Sequence, residues 1–253
     1  MIKLRTPNWE ISNIDTVLFD KDGTFIDLHY FWGKMTELRA LETIKFYNLE
    51  NVMFSQICKY LGFDLNTKKM FSDGITALYS RNKIIEIFTQ NLNDIGICAK
   101  EIEIESIFDL VSVEFYKNIK DYTKPISEAI DFIKKLRLQG LKIGIVTSDS
   151  VESTNLTIQQ FGWEDLFDVV VGRETLNETK ESGKPTKYAL EKIGANPCNT
   201  VMIGDAPMDY ISAKNAGIDS TILVATGQLG VNELKMHSAF VLKSLGDVEC
   251  LKI

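Results

Sequence analysis

Two aspartates one residue apart, Asp20 and Asp22, stand at the end of the apolar run 16–19, and Gly23 and Thr24 follow at once. Carboxylates that close repel each other, so a fold that holds them together needs a cation, a chemical task or open solvent. Further along the chain, Thr147, Ser148 and Asp149 follow the apolar run 142–146. Gly204 and Asp205 follow the run 200–203, with Asp209 four residues on, and Lys184 precedes Pro185 between those two places. A calcium loop of the EF-hand kind is excluded, because the positions it gives to glycine and glutamate, counted from Asp20, hold Phe25 and Phe31. A Walker loop is excluded too, since Gly183-Lys184 runs into proline. Gly227 and Gly230 are too sparse for a dinucleotide fingerprint.

In an open parallel sheet, ligands collect at the carboxyl ends of the strands. Acids clustered on such a rim call for a hard divalent cation with oxygen ligands, and Mg²⁺ fits. A cation together with Lys184 converts an acidic pocket into a place where a phosphate can sit. Unaided hydrolysis of a phosphate monoester is so slow that acceleration can reach ~10²¹. A carboxylate that attacks phosphorus divides this barrier, and water then hydrolyses the acyl phosphate. A second carboxyl group protonates the leaving oxygen and afterwards activates the water. Asp20 and Asp22 can fill these two roles if the turn angles their side chains apart. A solvated Asp-Gly turn is the plainer alternative, and it leaves the downstream acids unexplained.

The elements that must position these residues show two textures. Short β-branched runs at 16–19, 142–146, 169–171, 200–203 and 220–224 read as buried strands. Helical patterns lie between the later ones: Ile126, Ile130, Ile133 and Leu136 share one face ahead of Gly140, and Tyr188, Ala189 and Ile193 do the same. This alternation predicts an α/β fold with a parallel, Rossmann-like sheet. From 28 to 119 the texture is helical throughout, as in Ile104, Ile107, Phe108, Val111 and Phe115, or Ile84, Ile87, Phe88 and Leu92. It predicts an all-helical insertion at 28–119 in a core made of 1–27 and 120–253. Helices packed directly on the sheet are the alternative.

The chain has 253 residues, 45% of them hydrophobic and 25% charged, and a net charge of −7. That composition is globular, and the acidic balance argues against nucleic acid or an anionic membrane as partner. No apolar run approaches the ~20 residues of a membrane span. The first residues lack the apolar stretch of a signal peptide, so a cytoplasmic protein is expected. Cys58, Cys98, Cys198 and Cys250 are scattered and read as reduced. Oligomeric state is not legible.

The residues quoted above resemble the haloacid dehalogenase-like hydrolases, in the branch similar to phosphoglycolate phosphatases. DKDGT at 20–24 resembles the first family motif, the threonine of IGIVTS the second, GKP with Lys184 the third, and IGDAPMDYISAKNAG the fourth. The resemblance spans nearly the whole chain. It implies Asp20 as nucleophile and Mg²⁺ ligand, and Asp22 as general acid and base with its main-chain carbonyl on the metal. It further implies Asp205 and Asp209 at the metal, and Thr147 and Lys184 on the phosphoryl oxygens, with Lys184 also restraining Asp20. Ser148 and Gly23 join them as candidate phosphate contacts. The insertion would be the family's helical cap over a small phosphorylated metabolite. Family members that cleave carbon–halogen or carbon–phosphorus bonds lack the second aspartate, so Asp22 favours phosphate esters. A sugar phosphomutase, or a non-catalytic module on the same fold, is the alternative. Lys21 stands where the family commonly has an apolar residue, and its side chain is expected to point away from the metal.

Overall fold

The computed structural model describes residues 1–253. The chain divides into two compact units, one of Met1–Asp27 with Pro125–Ile253, the other of Leu28–Lys124. The first begins with β1 (Ile2–Arg5), β2 (Glu10–Ile14) and β3 (Thr16–Phe19). Every residue of β3 is buried. Thr-Val-Leu-Phe therefore shows no apolar–polar alternation, as expected of a strand covered on both faces.

The second unit follows at once: α1 (Leu28–Phe46), α2 (Phe54–Tyr60), β4 (Phe63–Asp64), β5 (Lys69–Met70), α3 (Ile75–Leu78), α4 (Arg81–Asp94) and α5 (Glu101–Lys117). It is helical but not all-helical, because β4 and β5 form an antiparallel pair with Phe63 opposite Met70. Both of those side chains join the helical core of Ile57, Leu61, Phe88 and Phe108, which is why so short a ladder persists. The Arg39 guanidinium lies 4.0 Å from the centre of the Phe108 ring. The unit runs to Lys124 rather than ending at residue 119. The Tyr122 ring lies tilted against that of Phe115 with their centres 5.2 Å apart, and the Tyr30 hydroxyl donates to the Asp121 carbonyl at 3.0 Å.

The chain returns to the first unit through α6 (Ser127–Leu138), β6 (Lys142–Val146), α7 (Val151–Phe161), β7 (Val169–Val171), α8 (Lys184–Ile193), β8 (Thr200–Gly204), α9 (Pro207–Asn215), β9 (Ser220–Val224), α10 (Val231–Leu234), β10 (Phe240–Leu242) and β11 (Glu249–Lys252). Six strands form a parallel sheet in the order β10-β9-β8-β3-β6-β7. Its register sets Phe19 beside Ile145 on one flank and Ile203 on the other. The segments that begin with Asp20, Thr147 and Asp205 therefore leave the sheet at one edge. The chain ends make a separate antiparallel sheet, β11-β1-β2, with Trp9 edge-on to Phe240 at 5.3 Å. No helix is long and apolar enough to cross a membrane.

Candidate active site

The site begins in the turn after β3. The Asp20 N–H donates to the Ile203 carbonyl at 2.8 Å, which continues the sheet one residue past the strand. The Lys21 carbonyl then accepts from the N–H groups of Thr24, Phe25 and Ile26 at 3.3, 3.1 and 3.1 Å. Gly23 sits at φ +86°, in the left-handed region, and a Cβ there would stand 2.3 Å from Asp205 Oδ2. Glycine is required on both counts. The turn sends the two aspartates to different partners. Asp20 Oδ1 accepts from Lys180 Nζ at 2.6 Å, and Asp22 Oδ1 accepts from Lys21 Nζ at 2.7 Å.

Asp20, Asp205 and Asp209 are buried and bring one carboxylate oxygen each to within 4.8 Å of one another. Asp209 lies in the first turn of α9. Its Oδ2 accepts the Ala206 N–H at 3.0 Å, and its Oδ1 lies 2.6 Å from Lys180 Nζ. The residue thus serves both as a helix cap and as a member of the acid cluster. Asp205 lies among glycines, since a Cβ on Gly227 would come within 1.6 Å of its Oδ2. Thr226 Oγ1 donates to the Gly23 carbonyl at 2.5 Å and ties that wall to the turn after β3.

Burial pushes the Asp20 carboxyl up to about 7. Lys180 opposes this, and Asp209 and Asp22 add to it. Burial raises Asp205 well above the ordinary carboxyl range, reinforced by Asp20 and Asp209. Burial alone would lower Lys180, but the carboxylates of Asp20 and Asp209 outweigh it and hold the ammonium charged. Ionised together, the three carboxyl groups would outnumber the one ammonium; burial answers this by favouring protons on Asp20 and Asp205, and a divalent cation would take the place of those protons. The donor set, all oxygen and within one small radius, suits a hard cation, and the glycine cradle keeps the Asp205 carboxylate free of side-chain crowding. The residues present fit such an ion.

The lysine of the cluster is Lys180, not Lys184. Lys184 opens α8 and shares an exposed face with Lys187 and Glu191, while Pro185, Thr186, Ala189 and Leu190 take the buried one. Its side chain is 61% exposed and pairs with Glu178. Lys180 stands in the short turn before Gly183 and is buried. That turn is pressed onto α9: a Cβ on Gly183 would meet Asn215 at 2.6 Å, and Asn215 Nδ2 donates to the Glu181 carbonyl at 2.7 Å. Lys-Pro marks the start of a helix here.

Thr147 is buried at the end of β6, where its N–H donates to the Val171 carbonyl at 2.9 Å and its Oγ1 accepts the Asp149 N–H at 3.1 Å. Ser148 is exposed, with Oγ 3.5 Å from Met208 Sδ. The Asp22 carboxylate stands outside the three-acid group. Lys21, Asp149, Thr226 and Gly227 had no part in the expected site. In the helical unit, His29 Nδ1 accepts the Met70 N–H at 3.1 Å, and Arg81 pairs with Asp109 at 2.5 Å.

Known proteins resemble the chain along most of its length. The haloacid dehalogenase-like hydrolase family matches residues 17–223. A pyrophosphatase PpaX of Halalkalibacterium halodurans is 26% identical over 239 residues, covering 93% of this chain and 95% of the relative. A phosphoglycolate phosphatase of Aquifex aeolicus is 26% identical over 218 residues, covering 85% and 87%. Among solved structures, one described as a predicted phosphoglycolate phosphatase from Haemophilus somnus has the same fold. Its TM-score is 0.71 at 16% identity, covering 94% of this chain and 97% of that one. The chain belongs to the haloacid dehalogenase-like hydrolases.

Proposed function

We propose that the protein is a Mg²⁺-dependent phosphatase that hydrolyses a small phosphate monoester through an aspartyl-phosphate on Asp20. The observation that carries this reading is the Asp20 carboxylate at the strand end, gripped by buried Lys180 beside Asp205 and Asp209. Asp22 is directed to a different partner from the same turn. The names of the relatives, a pyrophosphatase and a phosphoglycolate phosphatase, support phosphoryl transfer to water as the reaction class.

Asp20, Asp205 and Asp209 would hold Mg²⁺, together with the Asp22 main-chain carbonyl that the family resemblance implies. Bound there, the ion supplies positive charge to the phosphoryl oxygens. Lys180 fixes the Asp20 side chain and adds a second positive charge beside it. The Thr147 hydroxyl and the Ser148 segment lie at the same sheet edge and are the proposed phosphoryl contacts. A carboxylate oxygen of Asp20 forms a bond to phosphorus as the phosphorus–ester oxygen bond breaks, and Asp22 gives its proton to the departing oxygen. The Asp22 carboxylate then takes a proton from water. The water oxygen bonds to phosphorus, the acyl–phosphate bond breaks, and orthophosphate and the Asp20 carboxylate are restored.

A panel of small phosphate esters, with inorganic pyrophosphate included because of the PpaX relatives, tests the reading by orthophosphate released in Mg²⁺ and in chelator. Turnover is expected in Mg²⁺ and its loss in chelator. Turnover undiminished by chelator, or none by the folded protein on any member, overturns it. Conversion of a sugar phosphate to its isomer without release of orthophosphate would mark a phosphomutase instead.

A further inference from the structure

We propose that Lys21 is a positioning residue for Asp22: its ammonium, anchored on Asp149, fixes the carboxyl group that moves protons in the reaction. The inference rests on the reading of Asp22 as general acid and base.

Lys21 is completely buried, and its Nζ lies 2.7 Å from Asp22 Oδ1 and 2.9 Å from Asp149 Oδ2. The side chains of Asp22 and Asp149 are 11% and 4% exposed. A buried ammonium is unfavourable unless carboxylates compensate it, and an apolar residue of similar volume often serves stability as well or better. The burial of a charged group at this position is therefore not accounted for by stability alone.

Both ends of the link are rigid. The Lys21 main chain is pinned by the three N–H groups that its carbonyl accepts. Asp149 is held from the far side, where its Oδ1 accepts the Ser150 N–H at 2.7 Å and its carbonyl accepts the Arg173 N–H at 3.0 Å. Ser150 in turn caps α7. The ion pair thus ties the turn after β3 to the turn after β6, and the Asp22 carboxylate rests on that tie. It also gives Asp22 a positive partner of its own, so that its carboxylate stays apart from the Asp20, Asp205 and Asp209 group. A carboxylate drawn onto the metal could not pass a proton to an ester oxygen. In the reaction Asp22 releases its proton as the phosphorus–ester oxygen bond breaks and regains one from water. Lys21 keeps its own proton throughout.

The test is the leaving-group dependence of kcat/KM, which reports the step in which the ester bond breaks. Two esters are compared in Mg²⁺: an alkyl phosphate, whose leaving oxygen needs a proton, and 2,4-dinitrophenyl phosphate, whose leaving group does not. In Lys21→Met, kcat/KM for the alkyl ester is expected to fall about 100-fold, the size of effect produced by a small misplacement of a reacting group. For the dinitrophenyl ester the loss should stay within about threefold, because no proton transfer is lost there. Lys21→Met/Asp149→Asn, which removes the buried charge left behind, should show the same split. A misfolded fraction lowers both rates equally, so the ratio isolates positioning from stability. Equal losses on the two esters, or no loss on the alkyl ester, overturns the proposal. Crystal structures of the wild-type protein and Lys21→Met give a readout independent of turnover. A displaced Asp22 carboxylate in the variant supports the role, and an unmoved one overturns it. If the wild-type protein cleaves neither ester, the phosphatase reading fails by itself, and the crystallographic comparison still decides whether Lys21 fixes Asp22.

Discussion

Lys180 and Lys184 stand four residues apart and differ in everything that matters to the site. One is buried between Asp20 and Asp209, and the other pairs with Glu178 at the surface. An exposed pair of the latter kind is worth less than ~1 kcal/mol. Lys184→Met should therefore leave turnover within about twofold of wild type and the melting temperature unchanged. Lys180→Met removes a preorganised positive charge beside the attacking carboxylate and should lower kcat on the order of 100-fold. Steady-state kinetics on one ester decides between them, and equal effects would return Lys184 to the site. Asp20 itself ties the site to pH. Its folded carboxyl is raised from the ordinary 3.8 to about 7, first by burial. Between those values the folded protein binds more protons than the unfolded chain, so metal-free stability falls as pH rises through that window. A divalent cation takes over the role of those protons. The gain in melting temperature on adding Mg²⁺ should then be larger at pH 8 than at pH 5, and thermal unfolding at the two values, with and without the ion, checks the order.

The strand-end loops set the shape of the acid cluster. Gly227, in the loop after β9, lies so close to Asp205 that any side chain would displace its carboxylate. Gly227→Ala should keep the fold and weaken Mg²⁺ affinity about tenfold or more, the size of effect seen when a supporting contact of a metal ligand is lost. Metal titration by calorimetry measures this, and unchanged affinity would remove Asp205 from the site. The central strands were legible because β3 and β8 are buried along their whole length, leaving unbroken apolar runs in front of Asp20 and Asp205. β1 and β2 were not legible, because β1 draws its second partner from the opposite end of the chain, with Leu4 beside Cys250. The pair β4–β5 escaped notice at two residues per strand. The choice of Lys180 over Lys184 was hidden for a related reason. It depends on Gly183 lying flat against Asn215, a contact between α9 and the turn before α8 that no local pattern encodes. Lys21, adjacent to the nucleophile in sequence, became intelligible only once Asp149 was placed beside it by the register of β3 and β6.

For the molecule as a whole, Asp20, Asp22, Lys180, Asp205 and Asp209 all belong to the unit of Met1–Asp27 and Pro125–Ile253. The two ends left by removing Leu28–Lys124 are already neighbours, since Ile26 bridges Pro125 and the Ile126 N–H donates to the Phe25 carbonyl at 2.9 Å. A short linker at 28–124 should therefore preserve the sheet and its acids. Such a chain is expected to cleave an aryl phosphate slowly in Mg²⁺ while losing preference among natural esters, because the sheet-edge residues read only phosphate and metal. A folded, shortened chain that keeps the full protein's ranking of substrates would place specificity in the sheet unit instead. An aspartyl-phosphate on Asp20 can be captured chemically. The protein is mixed with substrate and Mg²⁺, quenched in acid within a turnover, and digested, and the peptide spanning residue 20 is sequenced by mass spectrometry. One phosphoryl group is expected on Asp20 in the wild-type protein, and neither phosphoryl group nor released orthophosphate with Asp20→Asn. Orthophosphate released at wild-type rates by folded Asp20→Asn would contradict the aspartyl-phosphate route.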